Sequence, residues 1–131
     1  MSKSRVSVAS LVVLIGVAGL GAAQQPAFKR TELQRADLSA ASREAVQVVV
    51  EFQPGGASGR HTHPGEEMGY ILEGTLRFEF DGQPTVTLKA GDHFIAPVGR
   101  VHGATNVGPG GAKVLAMYLI EKGKPIATPA P

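Results

Sequence analysis

Three of the four histidines in this chain, His61, His63 and His102, occur with Glu67 in two stretches punctuated by glycine and proline. Imidazole nitrogen and carboxylate oxygen together make a donor set that suits a divalent transition metal. His61 and His63 are two residues apart, a spacing that turns both imidazoles to one face of an extended strand. Glu67 follows Pro64-Gly65-Glu66, which reads as a short turn bringing the next strand back beside the first. His102 is remote in sequence and joins the others only where a sheet closes on itself, as in a small β-barrel. Such a set leaves a six-coordinate ion with open positions for water or substrate, whereas four-coordinate zinc would be closed and structural.

The glycines and prolines around these four are spaced as regularly as the ligands. The first stretch carries Gly55, His61, His63, Glu67 and Gly74, and the second carries Gly91, Pro97, Gly99, His102 and Asn106. At each of these positions the chain resembles the paired signature motifs of the cupin superfamily. The resemblance implies a jelly-roll barrel that holds a metal through His61, His63, Glu67 and His102. The ion would be manganese, iron, nickel, cobalt or zinc. The resemblance also implies a homodimer joined through edge strands. Activities in that superfamily range over dioxygenases, isomerases, decarboxylases, sugar-binding domains and storage proteins, so the fold alone names no reaction.

Neighbouring polar residues are assigned bland roles. His93 fits no motif position and reads as a packing or surface residue. Glu66 falls on the opposite face of an extended segment from Glu67 and reads as solvated charge. Arg60 and Tyr70 are out of phase with the ligands and are assigned to packing or an interface. Gly74 and Gly91 suit turns, Pro97 with Gly99 sets the bend that aims His102 inward, and Asn106 ties a turn through its amide.

The elements that must position these residues are short strands. Runs rich in β-branched and aromatic residues predict strands over 28–36, 45–52, 68–72, 75–80, 85–88, 93–96, 101–106 and 113–121. Glu73-Gly74 suits a tight hairpin turn and Asp81-Gly82 the next one. Regular short spacing with glycine at most corners indicates an all-β, single-domain antiparallel jelly-roll barrel. Ile71, Phe78, Phe80, Ile95 and Met117 are the expected inward residues. The stretch 123–131 has three prolines in nine residues and is expected to be extended or disordered and outside the sheet.

With 131 residues the chain has room for one domain, placed at 24–122 between an N-terminal signal and the proline-rich tail. Residues 1–23 read as a removable export signal: Lys3 and Arg5, an apolar run from Val6 to Leu20, then Gly21-Ala22-Ala23 before the cleavage point. A retained anchor would need about 20 apolar residues, and this run is shorter. The expected location is therefore periplasmic or extracellular, with no membrane association after cleavage. Losing Lys3 and Arg5 leaves 11 basic residues against 11 acidic ones, and no basic cluster remains to bind nucleic acid. There is no cysteine, which excludes disulfides, thiolate ligands, a thiol nucleophile and a lipid-modified cysteine.

A small-molecule partner is the expectation that remains. The favoured reading is a metal-dependent enzyme, of dioxygenase or isomerase class, acting on a small oxygen-chelating substrate. The alternative is a non-catalytic module that captures a small molecule or a metal. Mostly apolar inward residues imply few acids or bases beyond the metal shell.

Overall fold

The protein is described by a computed structural model covering residues 26–131; the expected export signal lies outside the described residues. Among the described residues, ten strands form two five-stranded antiparallel sheets. They are β1 (Phe28–Asp37), β2 (Arg43–Phe52), β3 (His61–Thr62), β4 (Gly65–Glu73), β5 (Thr75–Phe80), β6 (Val86–Lys89), β7 (His93–Ala96), β8 (His102–Asn106), β9 (Ala112–Glu121) and β10 (Thr128–Pro129). One sheet runs β1-β2-β9-β4-β7 and the other β10-β3-β8-β5-β6. This is the all-β jelly-roll arrangement expected from the spacing of the strand runs.

Alternation explains why these segments pair as they do. In β2, the residues Val46, Val48, Val50 and Phe52 point inward, and in β9 the residues Ala112, Val114, Ala116, Tyr118 and Ile120 do the same. These two strands pair over ten residues, from Arg43 opposite Glu121 to Phe52 opposite Ala112. Ile71 of β4 and Leu76, Phe78 and Phe80 of β5 close the core from the remaining strands. Burial of these apolar faces is the main drive for closing the two sheets.

Four expectations are corrected. Pro64-Gly65 does not return β4 beside β3: β4 pairs with β9 and β7 in the opposite sheet. Gly65 makes this crossing possible, because a Cβ there would collide with the main-chain carbonyl of Leu119. Glu73-Gly74 is likewise a crossing between sheets and not a hairpin turn, with Gly74 at a φ of 81° pressed against Ala112. The hairpin lies one step later, where β5 pairs with β6 around Asp81-Gly82.

The third correction concerns the proline-rich tail, which joins the sheet. Thr128 stands opposite Thr62 and Pro129 opposite His61. Arg60 holds the end of the tail, with its Nε donating to the carbonyl of Pro131 at 2.6 Å and its main-chain oxygen accepting from the Ala130 amide at 2.9 Å. Proline at an edge strand costs no ladder bond when its missing N–H faces away from the partner.

The fourth correction is one of phase. Ile95 is 60% exposed, and Met117 lies on the outer side of β9. Their strand neighbours Phe94, Ala96, Ala116 and Tyr118 face inward. Both faces of β9 are apolar, so hydrophobicity alone does not reveal which one is inside.

Candidate metal centre

His61, His63, Glu67 and His102 come together between the two sheets, all buried, with one potential ligand atom from each lying within 4.8 Å of every other. His61 is on β3, His63 follows it immediately, and His102 is on β8 of the same sheet, directly opposite His61. Glu67 reaches in from β4 on the other sheet. The three imidazole rings pack with centroids 4.5 to 5.0 Å apart.

Each ring is oriented through its Nδ1. His61 Nδ1 lies 2.9 Å from the carbonyl of Gly59, His63 Nδ1 2.5 Å from that of Ile126, and His102 Nδ1 2.9 Å from that of Arg100. A carbonyl oxygen only accepts, so each Nδ1 carries the proton and each Nε2 presents its lone pair to the centre. Glu67 Oε2 sits 2.9 Å from His63 Nε2 and 3.1 Å from His102 Nε2. The His63 contact lacks hydrogen-bond geometry, so His63 Nε2 is a buried nitrogen without a hydrogen-bond partner. Three converging lone pairs and a carboxylate form an electron-rich cluster that a cation satisfies and that apolar packing does not. The donor set therefore fits a divalent metal, and the backbone carbonyls fix its orientation.

The protonation pattern fits a site that repels further protons at one ring and attracts them at another. Burial pushes His61 down to about 4, and the neighbouring His102, His63 and Arg30 lower it further, against the Gly59 bond that raises it. Burial alone would raise Glu67, yet the hydrogen bond with His102 and the close approach of His63 outweigh it and hold the carboxyl at about 2. Burial lowers His102, but Glu67 and the Arg100 carbonyl overcome that and raise it above the usual imidazole range.

His61, Glu67 and His102 border a pocket of about 310 Å³, a volume that includes open solvent at its mouth. Its walls are mainly apolar, with Phe28, Phe52, Phe78 and Phe94 prominent. Phe94 is set over Gly69, the residue opposite it on β4, because no Cβ intervenes. Ser58 contributes no free donor: its hydroxyl bonds the Gly59 carbonyl and accepts from the Ala104 amide.

Two polar residues at this pocket were not singled out from the sequence. Tyr118 faces Glu67 across the β4–β9 ladder, with its ring 4.7 Å from that of His63. Burial, with the Glu67 charge, raises its phenol above the ordinary value. Arg30, on β1 opposite Val50, places Nη2 3.4 Å from His61 Nε2. The signal for Arg30 was available in its two-residue spacing from Phe28 on an expected strand, and that for Tyr118 in the alternate phase of β9.

His93 is exposed on β7, away from the cluster. Glu66 is half-buried on the outer face of β4, 3.9 Å from Arg43. Tyr70 points outward, and Arg60 binds Asp81 and the tail. Asn106 is fully buried, its amide donating to the carbonyls of Phe52, Gln53 and Gly110 while its oxygen accepts from the Gly108 amide, so it ties the loops beneath the site.

A family model described as a cupin domain matches residues 48–118. Germin-like protein subfamily 2 member 2 of Arabidopsis thaliana is 38% identical over 74 residues, covering 53% of this chain and 34% of that protein. The chain therefore matches only about a third of the length of such relatives. Among solved structures, the DMSP lyase of Ruegeria pomeroyi is similar with a TM-score of 0.58 and 27% identity, over 66% of this chain and 43% of that one. A predicted oxalate decarboxylase of Thermotoga maritima is similar with a TM-score of 0.53 and 28% identity, over 60% of this chain and 80% of that one.

Proposed function

Since this chain belongs to the cupin domain family, we propose that it is a metal-dependent enzyme of dioxygenase or isomerase class that binds a small oxygen-chelating substrate at a divalent transition metal. The observation that carries this reading is the convergence of His61, His63, Glu67 and His102, each imidazole held by a backbone carbonyl with its lone pair inward. When bound, manganese, iron, nickel, cobalt or zinc would supply Lewis-acid polarisation of a substrate oxygen or, for the redox-active members, one-electron chemistry.

The chain's own residues supply the rest. The three histidines and Glu67 would hold the ion, and the apolar pocket beside them would admit substrate. Glu67, ionised at neutral pH, serves as a fixed ligand or takes up a proton from substrate. Tyr118 keeps its proton and offers a hydrogen bond beside Glu67. The phenylalanine walls exclude water, which strengthens every charge interaction inside.

Elemental analysis of the purified protein, followed by oxygen-consumption and isomerisation assays on phenolic and oxo-acid compounds, tests this reading. About one metal per chain is expected. Full metal content in both His61→Ala and His102→Ala would refute the site. The apolar walls favour a second reading, a non-catalytic module that captures a small molecule; it predicts metal and ligand binding with no turnover across the panel.

Two further expectations stand with this proposal. The chain is exported to the periplasm or beyond with cleavage after Ala23, which N-terminal sequencing of the secreted product tests. It forms a homodimer, supported by the exposed apolar side chains Met68 and Tyr70 of β4 and Ile95 of the neighbouring edge strand β7. Sedimentation or light scattering tests that assembly.

A further inference from the structure

Among the described residues, Arg30 is the one Lys or Arg that lines the pocket beside the ligand cluster. Its guanidinium carbon stacks 4.6 Å above the Phe28 ring, and Phe28 packs in turn on Phe52 at 5.1 Å. Stacking of this kind fixes the plane of the guanidinium while leaving its N–H edge free to bind. Nη2 meets His61 Nε2 at 3.4 Å, and Nε is buried with no partner. A buried, unmatched donor on a guanidinium is costly unless something accepts from it.

The acceptor that Nη2 meets at the centre is the lone pair that His61 would give to a metal, and Tyr118 lies close enough for the guanidinium to act on its phenol. Once that lone pair is engaged, Arg30 faces the pocket with two unmatched donors beside a dication. Three neutral imidazoles and the Glu67 carboxylate leave such an ion with one net positive charge, to which Arg30 adds another. An anion between them satisfies the donors and the charge together. The pocket it would enter is walled by phenylalanines and aliphatic side chains, with the Ser58 hydroxyl already engaged.

Resting on the metal-site reading above, we propose that Arg30 is a substrate-binding residue that takes the carboxylate of a small organic acid with an apolar body. The carboxylate accepts from the Arg30 guanidinium and faces the open side of the metal, and the apolar body lies against Phe28, Phe78 and Phe94. Tyr118 supplies a further donor at the same wall. Without the metal, Glu67 repels the anion, so acid binding is metal-dependent.

The test uses the full chain loaded with cobalt(II), with benzoate as probe and benzamide as its uncharged counterpart. Cobalt content is measured first by elemental analysis, and binding is then followed through the visible cobalt absorption. In the wild type, benzoate is expected to bind at least tenfold more tightly than benzamide, and only in the cobalt-loaded form. Arg30→Gln is expected to keep one cobalt per chain and the wild-type melting curve, and to weaken benzoate about ten- to a hundredfold, the loss expected for hydrogen bonds to a charged group. Its benzamide affinity should be unchanged, and Arg30→Lys should fall between wild type and Arg30→Gln. Benzoate binding within twofold of wild type in Arg30→Gln, or no preference for benzoate in the wild type, overturns the proposal. Loss of cobalt or of folding in both Arg30 variants makes the residue structural and overturns it too. Failure of the wild type itself to retain cobalt is a distinct result that refutes the metal reading and this inference with it.

Discussion

The Nδ1–H of His63 donates to the main-chain carbonyl of Ile126, 2.5 Å away, so the C-terminal segment orients a ligand of the candidate metal centre. Ile126 also packs its side chain against the core, and Thr128–Pro129 pairs with the strand that carries His61. Removing residues 123–131 is expected to weaken metal binding about ten- to a hundredfold, the range typical for loss of a ligand's outer partner. Chelator competition measures the loss, and circular dichroism should show the remaining strands in place.

Glu67 is the only anionic group in the four-residue cluster. Glu67→Gln preserves its shape and removes its charge. Metal affinity is expected to fall by about a hundredfold or more. In the metal-free protein His102 should lose its raised proton affinity, because Glu67 is the main cause of it. Nuclear magnetic resonance of the imidazole protons checks the second effect independently of the first.

Acid should destabilise the metal-free protein. His61 titrates near 4 when folded and near 6.5 when unfolded, so the unfolded chain takes a proton that the folded one refuses, and stability falls as pH drops from 6.5 through 4. Glu67, held at about 2 against the 4.5 of an ordinary glutamate, contributes stability above 4.5 that is lost as pH falls toward 2. His102 acts in the opposite sense: its raised value stabilises the fold at low pH, and that contribution fades as pH rises through it. Thermal melts of chelator-treated protein between pH 3 and 8 should show the net decline, and His61→Ala should flatten its upper part. A melting temperature that stays level from pH 7 to 4 in the wild type would contradict this assignment.

Two glycine substitutions should differ in cost for separate reasons. Gly65→Ala drives a methyl into the Leu119 carbonyl at the point where β4 changes sheets, and is expected to cost about 3 kcal/mol or more. Gly82→Ala meets open space and bears only the left-handed backbone penalty at a φ of 78°, about 1 kcal/mol. Chemical denaturation of the two variants compares them directly.

The ligand set and the strand runs were legible because their signals are local. His61 and His63 share a face by spacing, and Pro97 and Gly99 mark the bend before His102. What was not legible depends on pairing between distant segments. Nothing near Gly65 states that the chain leaves one sheet for the other; that follows from Leu119 lying against it. The tail reads as loose because of its prolines, yet Ile126 and the Arg60 contacts anchor it. Met117 and Tyr118 exchange places in the expected core because Leu115, Met117 and Leu119 are as apolar as Val114, Ala116 and Ile120, and only the register against β4 decides between the phases. Arg30 was overlooked because an arginine on an edge strand ordinarily points to solvent.

Glu67 belongs to one sheet and the three histidines to the other side of the sandwich. An ion gripped by both would act as a rivet through the two layers, in a chain that has no cysteine to make a covalent one. Its binding energy would then add to the folding energy, worth about 4 kcal/mol at a thousandfold excess of metal over the dissociation constant. The abundance of one trace element in its surroundings would then govern both the stability margin of this molecule and its chemistry.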